Sequence, residues 1–295
     1  MRAPPMAPIF RHPFMTERLH RLAVAICGAG HSGSTLLGLV LGSHSECFYA
    51  GEAKKTLFIG NLEKPRRKRV CKICGEGCPV WSRFTQPPEP DVYAQVARLT
   101  GAPVIVDSTK KVDWLRARAE ELDAAGVPHK RIFLARDGRA VVNSRVRKYP
   151  DEDPRQVVDG WAAQIRETQA FLDERPDDWM LLRYETLATA PEASVREVCA
   201  FLGLSFEPEM LRYQTREHHP LGGNTGTQSV VARAGDVDDP AFATVPERSR
   251  DYYESLRGGF RLDTRWETEL PDAVRELFDA RAGDLNAPFR WDSSC

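Results

Sequence analysis

The sequence predicts an α/β fold: a P-loop-like, three-layer architecture with a central parallel sheet and helices on both faces. Two observations predict it. Short apolar runs alternate with longer helical stretches from residue 21 to about residue 205. The first apolar run ends in Gly28-x-x-x-x-Gly33-Ser34-Thr35, a glycine turn that opens directly into a helix. With 295 residues, 42% of them apolar, the chain can bury a large core and is not wholesale disordered.

The elements follow in order. Residues 21–27 form a short apolar run stopped by glycine, which is the pattern of a buried strand. Residues 34–41 are mainly apolar and should be a buried helix. Tyr49-Ala50-Gly51 closes a further apparent strand just before Glu52. Residues 60–90 are rich in Pro, Gly, Lys and Arg; so long an irregular excursion suggests a functional insertion. Residues 103–107 are the next strand, followed by a helix over 112–125 that Gly126 stops. Residues 131–135 are a strand with a helix over 139–147, and a longer helix spans 157–174. Residues 179–184 are the last strand. The helix after it, 191–202, has Pro near its start and Gly just past its end. Beyond 205 the pattern weakens; 264–282 reads as one helix covering the core. The domain reading is a flexible stretch over 1–20, then one domain over 21–295 with an insertion at about 60–90.

Bulk composition excludes several classes. The formal net charge is −1, so an overall polyanion-binding role is not implied; only the patch Lys64-Pro65-Arg66-Arg67-Lys68-Arg69 is strongly basic. No run of 18 apolar residues offers a membrane span. The first twenty residues lack the apolar stretch of a signal peptide, and seven cysteines in so long a chain are not a disulfide framework. The expected location is the cytoplasm.

In doubly wound sheets, ligands sit beyond the carboxyl ends of the strands. Residues 28–35, 107–111 and 136–144 should therefore meet. The loop over Gly30, His31, Ser32, Gly33, Ser34 and Thr35 offers backbone N–H groups and a helix N-terminus to an oxyanion. Ser34 stands where a nucleotide triphosphatase needs lysine, so the grip on phosphate survives while that activity weakens. A second anion site is written into residues 131–148. Arg136 ends a strand and offers a forked donor, and Ser144 adds a hydroxyl from the following helix.

GAGHSGSTLL resembles the 5′-phosphosulfate loop of sulfotransferases that use 3′-phosphoadenosine 5′-phosphosulfate (PAPS). Members of that family usually carry Lys or Arg where this chain has His31, whose charge depends on pH near neutrality. The Arg136/Ser144 arrangement resembles the family's 3′-phosphate site. The stretch from Leu182 through Tyr184 to Gly203 is similar to the segment that follows that site, and the resemblance implies that Tyr184 lies near the adenine. The likeness covers about residues 21–205 without the 60–90 excursion, and HHPLGGN is similar to a loop of bacterial members. It implies an enzyme that moves a sulfuryl group from PAPS to an acceptor hydroxyl and releases adenosine 3′,5′-bisphosphate.

Such transfer needs a base, an in-line grip and a cation for the leaving phosphate, and it needs no metal where side chains meet that charge. Glu52, in Gly51-Glu52, resembles the base of protein-tyrosine sulfotransferases, with a pKa raised by a partly dry pocket; His44 is the competing base. Lys110, in Asp107-Ser108-Thr109-Lys110-Lys111, is similar to the lysine bridging sulfate and leaving phosphate, and His31 should touch the same region. Asp107 should orient Lys110 or cap the next helix. The acceptor is expected to be a small-molecule or sugar-like hydroxyl, with no nucleic-acid partner.

Cys71-x-x-Cys74-x-x-x-Cys78 stays open between a zinc knuckle, a redox-sensitive pair and unligated thiols. Zinc would need a fourth ligand from Cys47, His44 or elsewhere, and no metal ligand is assigned. Three other functions compete: a P-loop kinase, a non-catalytic adenine-nucleotide-binding protein, and a zinc-dependent nucleic-acid binder. The kinase needs Mg²⁺ and the missing lysine. The nucleic-acid binder is disfavoured by the near-zero charge and the lack of interleaved aromatics.

Overall fold

The computed structural model describes residues 19–86, 91–235, 245, 247–256 and 259–292. The flexible stretch expected at 1–20 therefore lies almost wholly outside the described residues.

Five parallel strands form one sheet: β1 (Leu22–Cys27), β2 (Cys47–Gly51), β3 (Val104–Asp107), β4 (His129–Ala135) and β5 (Trp179–Arg183), in the order β2-β3-β1-β4-β5. The chain leaves central β1 toward one edge, returns through β3, and then crosses to the other side of β1. That reversal opens a crevice at the carboxyl end of β1. Leu22 pairs with Val104 on one side, and Ala23 pairs with His129 on the other.

Both faces of the sheet are covered. Along β4, Ile132 and Leu134 enter one buried cluster with Leu37, Val106 and Val195, while Phe133 and Ala135 enter a second with Val158, Trp161 and Phe278. Alternate side chains leave a strand on opposite faces, so each face has its own core. β2 and β5 are the two edge strands, and Leu181 of β5 is exposed. No helix among the described residues is long and apolar enough to cross a membrane.

Most expected elements appear within a few residues of their predicted ends. The helix Ser34–Leu41 begins and stops as the apolar run does. The 264–282 helix is a correction. It is two helices, Trp266–Glu269 and Asp272–Asn286, because Pro271 between them has no N–H to donate and its ring crowds the preceding turn. The α-helices Val92–Thr100, Tyr184–Thr189, Thr225–Ala234 and Arg250–Ser255 lie outside the expected elements; the first has a buried apolar face that includes Val92, Tyr93 and Val96, while Tyr184–Thr189 and Arg250–Ser255 are too short to show a period. The 60–90 excursion contains only a short helix, Arg66–Arg69, and a 3₁₀ turn, Trp81–Arg83, among its described residues.

Candidate active site

The three loops expected to converge do so. They line one cavity of about 610 Å³ that holds Gly30, His31, Gly33, Ser34, Thr35, Ser108, Lys110, Arg136, Ser144, Tyr184 and Glu52. Ser32 is buried and does not line it.

The glycine turn is shaped by close approach. Gly28 has φ 118°, and a Cβ there would stand 2.6 Å from the Leu134 carbonyl oxygen. Gly33 has φ 92°, and its Cβ would stand 2.6 Å from the Tyr184 ring. His31 has φ 75°, the one non-glycine residue in the left-handed region among those described. A side chain held there costs on the order of 1–3 kcal/mol and needs bracing. Two residues of the second motif brace it: Arg136 Nη1 donates to the His31 carbonyl at 3.2 Å, and Ser144 Oγ lies 2.9 Å from His31 Nδ1. The two anion motifs are thus bonded to each other. Gly30 N donates to Gln164 Oε1, which also accepts from Arg145.

Arg136 is more occupied than the sequence suggests. Its Nη2 meets the Asp263 backbone carbonyl at 3.1 Å and the Asp263 carboxylate at 3.3 Å, and the guanidinium lies 4.4 Å from the centre of the Tyr184 ring. Its Nε is buried with no partner among the described residues. Burial would raise the pKa of Asp263, but Arg265 and Arg136 outweigh it and hold the carboxyl well below the usual range.

Glu52 sits at the mouth of the cavity, just past β2. Its Oε1 accepts from Gly223 N at 3.1 Å, and its Oε2 lies 2.9 Å from Lys55 Nζ. The raised pKa expected from sequence is corrected. Burial does push it up, but Lys55, Lys110 and the Gly223 N–H more than offset burial, and the net shift is downward. The Lys55 ammonium and the Gly223 N–H thus hold the carboxylate in its ionised form. His44 is the wrong base for this cavity: it is buried elsewhere, with Nε2 2.8 Å from the Ser205 carbonyl and Nδ1 accepting from Glu46 N.

Lys110 Nζ donates to the carbonyls of Ile26 at 2.9 Å and Ser108 at 2.6 Å, at the carboxyl ends of β1 and β3. Burial lowers its pKa to about 8, partly offset by Cys27, Glu52 and Asp107. Asp107 does neither task expected of it. Its carboxylate accepts from Ala53 N, Thr109 N, Tyr93 OH and Trp114 Nε1, so it knots together the loops after β2 and β3.

Sequence reasoning missed the residues that complete the rim. Asn224 N donates to Thr35 Oγ1 at 2.9 Å, and Gly223 reaches Glu52. The only available signal was the pair Gly222-Gly223 before Asn224, a helix N-cap whose side chain accepts from Thr227 N. Lys55, Arg67, Lys68 and Lys72 give the wall beside Glu52 a cationic lining.

Comparison with known proteins places the chain by family and fold. A family model described as "Sulfotransferase family" matches residues 23–208, more than half of the chain. A curated "Putative protein-tyrosine sulfotransferase" of Caenorhabditis briggsae is 28% identical over 98 residues; the match covers 31% of this chain and a third of that protein's length. The sulfotransferase domain of the Synechococcus PCC 7002 olefin synthase superimposes with a TM-score of 0.51 at 19% identity, covering 89% of this chain and 95% of that one, and shares the fold. A mouse sulfotransferase solved with PAP (adenosine 3′,5′-bisphosphate) aligns with a TM-score of 0.40 at 14% identity, over 90% of this chain and 97% of that one.

Proposed function

The chain belongs to the sulfotransferase family, and we propose that it transfers a sulfuryl group from PAPS to a hydroxyl of a small-molecule or sugar-like acceptor. The observation that carries the donor assignment is the bonded pair of anion motifs, His31 with Ser144 and Arg136, at one end of a single cavity. A donor with a phosphosulfate at one end and an extra phosphate near the other would use both.

In this proposal the backbone of Gly30–Thr35 and the start of the following helix cup the 5′-phosphosulfate. Arg136 and Ser144 read the 3′-phosphate, with Asp263 giving up part of its hold on Arg136 when the dianion arrives. Tyr184 flanks the adenine. The acceptor oxygen attacks sulfur, its proton passes to Glu52, and the bond from sulfur to the 5′-phosphate oxygen breaks. Lys110 and His31 meet the charge that grows on that leaving oxygen. No metal takes part in the transfer. Residues 21–295 act as one domain, with Arg67, Lys68 and Lys72 of the insertion forming part of the acceptor wall. A P-loop kinase reading has no lysine at position 34 to support it.

Calorimetry without Mg²⁺ tests the donor. Adenosine 3′,5′-bisphosphate should bind far more tightly than ADP, and Arg136→Ala should erase most of that preference, about 10- to 100-fold for a lost charged hydrogen-bonding group. Equal affinity of the natural chain for both nucleotides rejects PAPS as donor.

A further inference from the structure

One cluster outside the transfer site unites two stretches that the sequence left unassigned, the cysteine run of the insertion and the HHPLGGN loop. Cys71, Cys74, Cys78 and His219 place their four ligand atoms within 4.8 Å of one another. Cys74 Sγ lies 3.2 Å and Cys78 Sγ 3.5 Å from His219 Nδ1. A tetrahedral zinc site with bonds of about 2.0–2.3 Å puts its ligand atoms roughly 3.5–3.8 Å apart, so the four are already near bonding positions.

The surroundings suit a thiolate–imidazole site. The amides of Ile73 and Cys74 point at Cys71 Sγ, at 3.4 and 3.5 Å, as donors that stabilise a bound thiolate. His219 Nε2 lies 3.1 Å from Glu217 Oε1, which fixes the ring and leaves Nδ1 for the thiol side. Trp81 Nε1 donates to the His219 carbonyl at 2.5 Å. Cys71, Cys78 and His219 are buried, and Cys74 is exposed. A disulfide would join only two of the sulfurs and leave the third beside the imidazole without a role. Cys47 and His44 are not the fourth ligand: Cys47 is in the β2 core, and both ring nitrogens of His44 are engaged.

What the cluster joins is the acceptor rim. Lys72 N donates to the Pro220 carbonyl at 3.1 Å, and Cys71 bridges Leu221. Leu221 in turn bridges to the edge of β2 at Gly51: Leu221 N donates to Ala50 O at 3.0 Å, and Glu52 N to Leu221 O at 2.6 Å. Gly51, with φ 80°, has no room for a Cβ against Leu221. Two residues further on, Gly223 holds Glu52 and Asn224 holds Thr35.

We propose that Cys71, Cys74, Cys78 and His219 bind one structural zinc ion, which pins residues 219–224 against β2 and so sets Gly223 and Asn224 on Glu52 and Thr35. Binding Zn²⁺ releases the three thiol protons to solvent and uses the neutral imidazole; nothing is oxidised. The ion has no open position for substrate, so it positions the rim and takes no part in the chemistry. The site does not depend on the identity of the sulfuryl donor.

The test uses the full chain, loaded with zinc and dialysed, with elemental analysis by mass spectrometry. One equivalent of zinc is expected. Cobalt(II) in its place should give the intense visible bands of a tetrahedral thiolate site, a readout needing no variant. His219→Cys should keep the metal, whereas His219→Ala and Cys78→Ser should lose it. Removing zinc by chelation should speed hydrogen exchange of the 219–224 amides on the order of tenfold, as expected when a local anchor goes. Iron in place of zinc, no retained metal, or an intact mass showing a disulfide within the cluster overturns the assignment. Unchanged exchange at 219–224 overturns the pinning role. Calorimetry with adenosine 3′,5′-bisphosphate is a separate measurement, so the zinc site and the donor assignment can fail independently.

Discussion

The two ends of the crevice are built by different means. The end proposed to hold the donor consists of turns that directly follow β1, β3 and β4, so each turn is aimed by the strand before it. The end proposed to hold the acceptor joins the segment after β2 to residues 219–224, which come from far along the chain. The difference teaches that a parallel sheet supplies a phosphate cup almost automatically through its strand-to-helix turns. The side that holds Glu52 has to be assembled by tertiary contacts.

The sharpest way to break this comparison is Glu52→Gln. The proposed loss of the base should cut kcat about 10²–10⁴-fold while bisphosphate affinity, a property of the donor end, stays close to that of the natural chain. Steady-state kinetics beside calorimetry checks both; a parallel fall in affinity means the two ends are not separable. A smaller effect belongs to Lys110, whose pKa is lowered to about 8 by burial. Below that pH the ammonium is charged and can meet the leaving phosphate; the support is lost as pH rises through about 8, so kcat should fall there by about tenfold per pH unit. Lys110→Arg keeps its charge and should move the falling limb to higher pH. A limb that stays in place assigns the titration to another group. The smallest effect is a control outside both ends. Asp91 caps the helix Val92–Thr100 by accepting from Ala94 N. Asp91→Ala should cost about 1 kcal/mol of stability in denaturant unfolding and leave both kcat and nucleotide affinity unchanged. Altered catalysis would show that the far helix is coupled to the crevice.

Much of the donor end was legible. His31, Arg136, Ser144 and Lys110 line the cavity as expected, because strand, turn and helix are local patterns that place a residue within a turn of its position. The reading failed where a residue's state depends on a neighbour from another segment. Burial pushes the pKa of Glu52 up, but Lys55, Lys110 and the Gly223 N–H bring it down; Lys55 is only three residues away, whereas Lys110 and Gly223 come from other segments that nothing in Gly51-Glu52 announces. Arg136 looked like an open fork; Asp263, more than a hundred residues later, occupies part of it. The short helices at 184–189 and 225–234 lack a strong apolar stripe and form in the fold's context, which propensity alone does not supply.

By itself the sequence determined the alternation of strands and helices, the parallel sheet, the glycine cup and the strand end that carries Arg136. These follow from hydrophobic period and turn chemistry, which act over a few residues. Only the tertiary structure decided that His219 completes the three cysteines, that Gly223 and Asn224 seat themselves on Glu52 and Thr35, and that Asp263 meets Arg136. Those contacts join residues more than a hundred positions apart. Their free energy comes from burial and hydrogen bonding between surfaces that exist only once the sheet has formed, so no local pattern in the chain encodes them.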